Sequence, residues 1–398
     1  MRRGLVLASV LFLVASADLR GQWSVEAGWL TTYDANSFRN FRELPDWVNQ
    51  GSAAVSREFS WSKAELAVSY DVSGALFHNH PDRRFLLQSL GGEMAIFPGG
   101  RGFALVASVS YGRRDDVAPY TIFDHRMFEA SLGYRTTRGE WYPECTLGYA
   151  NRSYPNLPEF SHHEWDLSFG ARHSFPQRLS IILGVEMGYR AFVRRLVVIT
   201  RSVTPSSLGS SNRRKMRRWS GGGFREVQII ETLAEAPETA LISGRIRLGR
   251  PLGESTGLSL ECSGGWSPSR AARSLTRLDY GYDPSDFLSE DPFSFDGGRL
   301  SLELRRIWGR NVETQMGFAG GRRMYGGVPA FDLDGEKEIS EHRIDTRVEA
   351  WLSLQIPVNV GALQLVGSAD LRWTQSRSND PYYRWRGLMA GLGVRAAR

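Results

Sequence analysis

The chain has 398 residues, 41% of them hydrophobic, and a formal charge of +6, with a mean hydropathy of -0.32. Beyond the N-terminus no run is long and apolar enough for a transmembrane helix, so a helical membrane protein is excluded. The two cysteines, Cys145 and Cys262, are too few for a disulfide-stapled exported domain, and the modest positive balance names no partner.

Chain order begins with Arg2 and Arg3, an apolar run from Gly4 to Val14, and the small residues Ala15-Ser16-Ala17. That layout predicts a secretory signal peptide over 1–17 and a mature chain over 18–398. Its removal takes two arginines and lowers the formal charge from +6 to +4.

From Trp23 onward, apolar and polar residues alternate in segment after segment, the period of a strand with two unlike faces. Sixteen such segments are predicted: 22–34, 50–58, 63–77, 84–97, 102–114, 122–137, 140–154, 161–176, 178–192, 238–250, 257–267, 295–308, 311–325, 342–356, 362–377 and 384–397. The stretch FEASLGYRTTRGEWYPECTLGYA shows the pattern. Phe128, Ala130, Leu132 and Tyr134 fall on one face, with Glu129, Ser131, Gly133 and Arg135 on the other. After a tight break the alternation resumes with Trp141, Cys145, Leu147 and Tyr149 against Glu144, Thr146 and Gly148. Both cysteines share a face with leucines and read as small apolar residues.

The connections alternate between short and long. Short ones fall around Phe59–Ser62, Pro98–Arg101, Arg138–Gly139, Gln177, Pro251–Thr256, Gly309–Arg310 and Pro357–Gly361. Longer ones cover 35–49, 78–83, 115–121, 155–160, 193–237, 268–294, 326–341 and 378–383. A β-sandwich has no reason to sort its loops by parity. A membrane barrel does, with tight turns on one rim and long loops on the other. Trp61, Trp141 and Trp308 stand beside short turns, where an aromatic girdle belongs. Eight residue steps from Trp141 to Tyr149 span about 26 Å, and about 20 Å once tilted, close to an apolar band of about 25 Å.

In these features the mature chain resembles bacterial outer-membrane β-barrels of the porin-like size class. The resemblance is architectural and carries no diagnostic motif. The chain ends GLMAGLGVRAAR, without the aromatic last residue usual in that class. It implies an all-β fold: a single antiparallel transmembrane barrel of sixteen strands in the outer membrane of a Gram-negative bacterium, with short periplasmic turns and long extracellular loops. It also implies contact with the lipid bilayer and the outer-membrane assembly machinery, and barrels of this size often form homo-oligomers.

The polar faces then line a lumen. Alternation places Glu129, Arg135, Glu144, Arg152, Glu164, Asp166, Arg172, Glu186 and Arg190 there in the first half of the chain. In the second half it places Arg245, Arg247, Glu303, Arg305, Arg347, Glu349, Asp370 and Arg372 there. Charges of both signs suit a wet interior. They fit either a transverse field guiding solutes or ordinary lumen polarity.

Within the longest loop, Arg213, Arg214, Lys215, Arg217 and Arg218 could clamp lipopolysaccharide phosphates or an acidic polysaccharide, or simply form a solvated like-charge run. Export disfavours nucleic acid. Acidic residues gather in two other loops, around Asp283 and around Gly335, but neither has the spacing of an EF-hand, so no metal is assigned. No cofactor motif appears. His162-His163-Glu164 is the one cluster suggesting catalysis; alternation turns His163 outward and Glu164 inward, leaving only Ser161 on the face of His163. The expectation is therefore not an enzyme but a passive channel for small hydrophilic solutes. The alternatives are a non-conducting surface protein acting through its long loops (adhesin, receptor or scaffold) and, further off, a lipid-modifying enzyme. If the 193–237 loop folds inward, it is long enough to block the lumen.

Overall fold

The computed structural model describes residues 22–100, 102–176, 178–193, 196–198, 233–235, 238–268, 293, 295–326, 328–332 and 338–398. The predicted signal peptide, the basic run 213–218 and most of the acidic loops lie outside them.

Strand alternation produces β1 (Gln22–Asp34), β2 (Asp46–Ser60), β3 (Ala64–Phe77), β4 (Phe85–Ile96), β5 (Phe103–Asp116), β6 (His125–Thr136), β7 (Trp141–Ser153), β8 (His162–Ser174) and β9 (Ser180–Phe192). A small ribbon pairs β10 (Leu196–Val198) with β11 (Leu233–Glu235). Then come β12 (Thr239–Pro251), β13 (Thr256–Trp266), β14 (Asp296–Ile307) and β15 (Glu313–Tyr325). A second ribbon joins β16 (Ala330–Phe331) to β17 (Glu338–Ser340), before β18 (Arg343–Val360), β19 (Leu363–Ser378) and β20 (Trp385–Ala397). All but the two ribbons join one closed barrel, in the order β1 to β9, β12 to β15, β18 to β20. Every neighbouring pair is antiparallel, and β1 closes on β20 from Glu26↔Ala397 to Asp34↔Met389. The sixteen barrel strands match the sixteen predicted segments.

Closure sorts the side chains. Residues directly opposite share a face, so the register can be followed around the ring from Ser108↔Ser131 through Gly133↔Thr146, Glu144↔Gly170 and Ser168↔Glu186. Those residues point inward. Their sequence neighbours form an outer belt that is apolar at mid-strand: Leu258, Leu260 and Cys262 on β13, Leu300, Leu302 and Leu304 on β14, and Val348, Ala350 and Leu352 on β18. Leu132 and Leu147 face each other there and are 60% and 56% exposed. So large an unpartnered apolar belt is a lipid surface.

Outward charges keep to the strand ends. At the short-turn rim Arg57 lies 5.1 Å from the Trp23 ring and 4.6 Å from Phe59, and Arg306 lies 3.8 Å from Trp308. Their guanidinium groups thus stack on the rings of the aromatic girdle. Gly139 (φ 65°) and Gly361 (φ 61°) occupy the left-handed position of the tightest turns, where a side chain would be strained.

Three local expectations need correction. Strand β2 begins at Asp46, because Asp46 pairs with Asp34 and its carboxylate accepts from the Asn79 N–H at 2.8 Å. Pro357 lies inside β18 rather than in a turn. The β15 side of β18 is unpaired beyond Gln355, so the missing proline N–H costs no ladder bond there. Phe97 and Gly102 belong to the turn after β4, which makes 97–102 as long as the loop 379–384, so the short–long alternation is not strict.

Leu132→Arg or Leu147→Arg should lower barrel stability by roughly 2–4 kcal/mol in a lipid-refolding titration. Arg at Ser131 or Thr146, one residue away, should be tolerated. Cysteines introduced at those two lumen positions should react with a small water-soluble thiol reagent while Cys145 and Cys262 stay unlabelled.

Candidate functional site: the inner wall of the barrel

The residues assigned to the lumen from alternation all share one face of the register, opposite to that of Leu132 and Leu147. Only some of them meet. Arg190 holds Glu164 at 2.9 Å, Arg247 approaches Glu303 at 3.6 Å, and Arg305 binds Glu313 at 2.5 Å. Glu349 is paired at 2.7 Å with Arg299, an inward residue absent from the predicted set although it satisfies the same alternation. Arg135 and Glu144 are cross-strand neighbours without an ion pair among the described residues. Glu144 and Asp166 instead lean over Gly170 and Gly148, which have no side chain to block them.

The two signs are unevenly distributed. The arc from β3 to β8 carries Glu65, Asp71, Glu93, Asp116, Glu129, Glu144, Glu164 and Asp166 on its inner face, against Arg114, Arg135, Arg152 and Arg172, so acids predominate there. The arc from β12 to β20 carries Arg245, Arg247, Arg299, Arg305, Arg323, Arg343, Arg347, Arg372 and Arg395 against Glu261, Glu303, Glu313, Asp345, Glu349 and Asp370, a smaller excess of the opposite sign. Between them lies a cavity of about 580 Å³ bordered by Glu144, Glu186, Arg245, Arg299, Arg347 and Glu349. Its polar groups of both signs can hydrogen-bond water and small polar solutes.

Nearer the long-loop rim the arginines behave differently. Arg83, Arg114, Arg190 and Arg343 are all buried. Arg83 lies 4.1 Å from the Phe38 ring and donates to the Ser37 carbonyl at 3.1 Å. Arg114 lies 4.4 Å from Phe85 and donates to Asp116 at 2.8 Å. Arg190 sits 4.0 Å from Phe293. Arg343 is sandwiched between Tyr325 at 3.6 Å and Tyr383 at 3.8 Å, with Asp345 at 3.2 Å. A planar guanidinium can stack on a ring and bond a carboxylate in its own plane at once. The aromatic partners Phe38, Phe123 (5.6 Å from Arg114), Phe293 and Tyr383 come from the loops; Phe123 and Tyr383 sit in the short helical turns Tyr120–Phe123 and Pro381–Tyr383, and Arg83 in the turn Pro81–Arg83. Arg114, Arg190 and Arg343 therefore tie loop aromatics to the barrel mouth, while Arg83, itself in a loop, stacks on Phe38 of another. Of these buried arginines only Arg190 was among the predicted residues; the loop aromatics follow no period that would have marked the others.

The histidine cluster separates as expected. His163 faces outward, its Nδ1 2.8 Å from the Tyr149 hydroxyl and 2.9 Å from the Asn151 side-chain nitrogen. His162 faces inward, with Nδ1 2.7 Å from the Phe160 carbonyl and Nε2 3.8 Å from Glu164. The Ser161 hydroxyl accepts the Tyr154 N–H at 2.9 Å. Ser161 and His163 are thus engaged with different partners.

No protein-family model matches the chain. No curated protein matches it in sequence. Among solved structures it is similar to Pseudomonas aeruginosa OccK8 (OprE), at 9% identity and a TM-score of 0.48 over 95% of this chain and 98% of that one. It is similar to the outer membrane protein OpdK of Pseudomonas aeruginosa at 8% identity and a TM-score of 0.48, over 95% of this chain and 99% of that one. CdiB from Acinetobacter baumannii matches at 12% identity and a TM-score of 0.49, over 94% of this chain but 60% of that one.

Arg343→Met should destabilise the mouth by roughly 3–5 kcal/mol, because it leaves the buried Asp345 carboxylate without its cation. Adding Asp345→Asn should restore part of the loss. Faster protease cleavage in the 326–342 loop and a lower gel-shift temperature in the single variant than in the double variant would be the readouts.

Proposed function

We propose that this protein is a passive channel for small hydrophilic solutes in a bacterial outer membrane. The inner wall carries the reading. Sixteen strands enclose more space than their side chains fill, and the wall at mid-barrel presents solvated groups of both signs rather than a packed apolar core. Half-exposed ion pairs such as Arg247–Glu303 add little to stability, so wall charges of this kind are available to act on passing ions. The separation of an acidic arc from a basic arc gives a transverse field that orients dipolar solutes as they pass.

Export through the 1–17 signal peptide and insertion by the outer-membrane assembly machinery belong to the same proposal. So does contact of Arg213, Arg214, Lys215, Arg217 and Arg218 with lipopolysaccharide phosphates on the outer surface. Catalysis is not part of it, since the one Ser–His neighbourhood is occupied by structural hydrogen bonds.

In a planar bilayer the purified protein should give stable ohmic single-channel steps. Arg245→Glu with Arg347→Glu should shift the reversal potential in a salt gradient towards cation selectivity, most clearly at about 0.01 M salt, where the Debye length is about 30 Å. A folded, inserted protein that never conducts would instead support the non-conducting surface protein.

A further inference from the structure

We infer that the lumen holds a pyranose-binding subsite built on Trp351, which deepens and rests on the channel reading above. Trp351 and Trp385 are the two tryptophans that face inward among the described residues. Trp385 already lies beneath the guanidinium of Arg347 at 5.6 Å. Trp351 has no ring partner and no cation over it among the described residues.

Its place on the wall is specific. Gly317 stands directly opposite on β15, and a Cβ there would collide with Cζ2, Cε2 and Cη2 of the indole. The ring therefore lies flat across the glycine backbone, with one face on the wall and the other towards the lumen. An absent side chain makes that posture possible.

On the other flank, β19 presents Arg372 opposite Trp351 and Asp370 opposite Ser353. Neighbouring strands are about 4.8 Å apart, so the three side chains are within one small molecule's reach. Arg372 and Asp370 are both exposed, and neither has an ion pair or side-chain hydrogen bond among the described residues. The site thus offers an aromatic face, a free five-donor guanidinium and a free acceptor carboxylate.

That combination matches a pyranose ring. One face of the sugar is a patch of C–H groups, which settles on the negative face of an indole. Its rim of adjacent hydroxyls both donates and accepts, so it can satisfy Asp370 and Arg372 together. An open-chain polyol has the same hydroxyls but no flat apolar face.

The test uses the full-length protein in detergent, with methyl α-D-glucopyranoside and sorbitol as probes. Saturation-transfer NMR should show transfer to the ring protons of the glucoside and little to sorbitol. Trp351→Ala should reduce the glucoside signal at least fivefold, and Trp351→Phe should retain most of it. Gly317→Ala, which pushes the ring off the wall without touching its chemistry, should also weaken the signal, while each variant keeps its heat-shifted gel migration. Equal transfer in the parent and Trp351→Ala, or equal transfer to sorbitol and glucoside, overturns the subsite. Liposome swelling tests the channel separately. Glucoside binding lost with Trp351 but no swelling in any solute would refute conduction and leave the subsite standing.

Discussion

Backbone pairing in a medium without water is the constraint on which the rest of this structure depends. Inside hydrocarbon an unpaired N–H or C=O costs several kcal/mol, so a sheet can cross a bilayer only if it has no free edge. This chain meets the requirement by bringing β20 back to β1, down to the reciprocal bonds between Val25 and Arg398 at 3.0 Å. Once the ring is closed, parity has two consequences. Every odd–even choice made on one strand is transmitted to its neighbours through the register, and a slip of one residue would turn a whole strand inside out. The lipid belt and the polar wall are two faces of one alternation.

The same closure explains why the mouth is built differently from the wall. At mid-barrel, arginines such as Arg372 stand in the lumen and stay solvated. At the long-loop rim the loops remove water, and a guanidinium left there alone would be costly. Arg83, Arg114, Arg190 and Arg343 resolve this by stacking on aromatic rings and bonding a carboxylate or a backbone carbonyl. Loops fastened by several such contacts keep the vestibule in one shape, which a channel needs if its wall is to discriminate among solutes.

Most of the strands were legible because their signal is local. Leu132, Leu147 and Cys145 announce their face through residues two positions away, and Gly139 and Gly361 mark turns by themselves. What alternation could not show depends on partners remote in sequence. Asp46 looked like loop punctuation until its bonds to Asn79 and His80 placed it at a strand end. Pro357 looked like a turn because the lack of a β15 partner at that height is a property of the assembled ring. Arg343 owes its burial to Tyr325 and Tyr383, which no spacing rule connects. Trp351 shows the limit most clearly: its parity points inward, but its posture is set by a glycine on the neighbouring strand.

The wall features also share a location. Arg299, Arg347, Trp351, Asp370 and Arg372 all lie on β14 to β19, whereas the carboxylates Glu65, Asp71, Glu93, Glu129 and Asp166 lie on β3 to β8. A neutral solute carried by the transverse field would turn its dipole across the lumen, while an anion or a flat ring would be drawn towards the second arc. Pairs within the second arc, such as Arg299–Glu349 and Arg305–Glu313, cancel part of its charge, so the field is the net of an acidic excess on one side and a basic excess on the other.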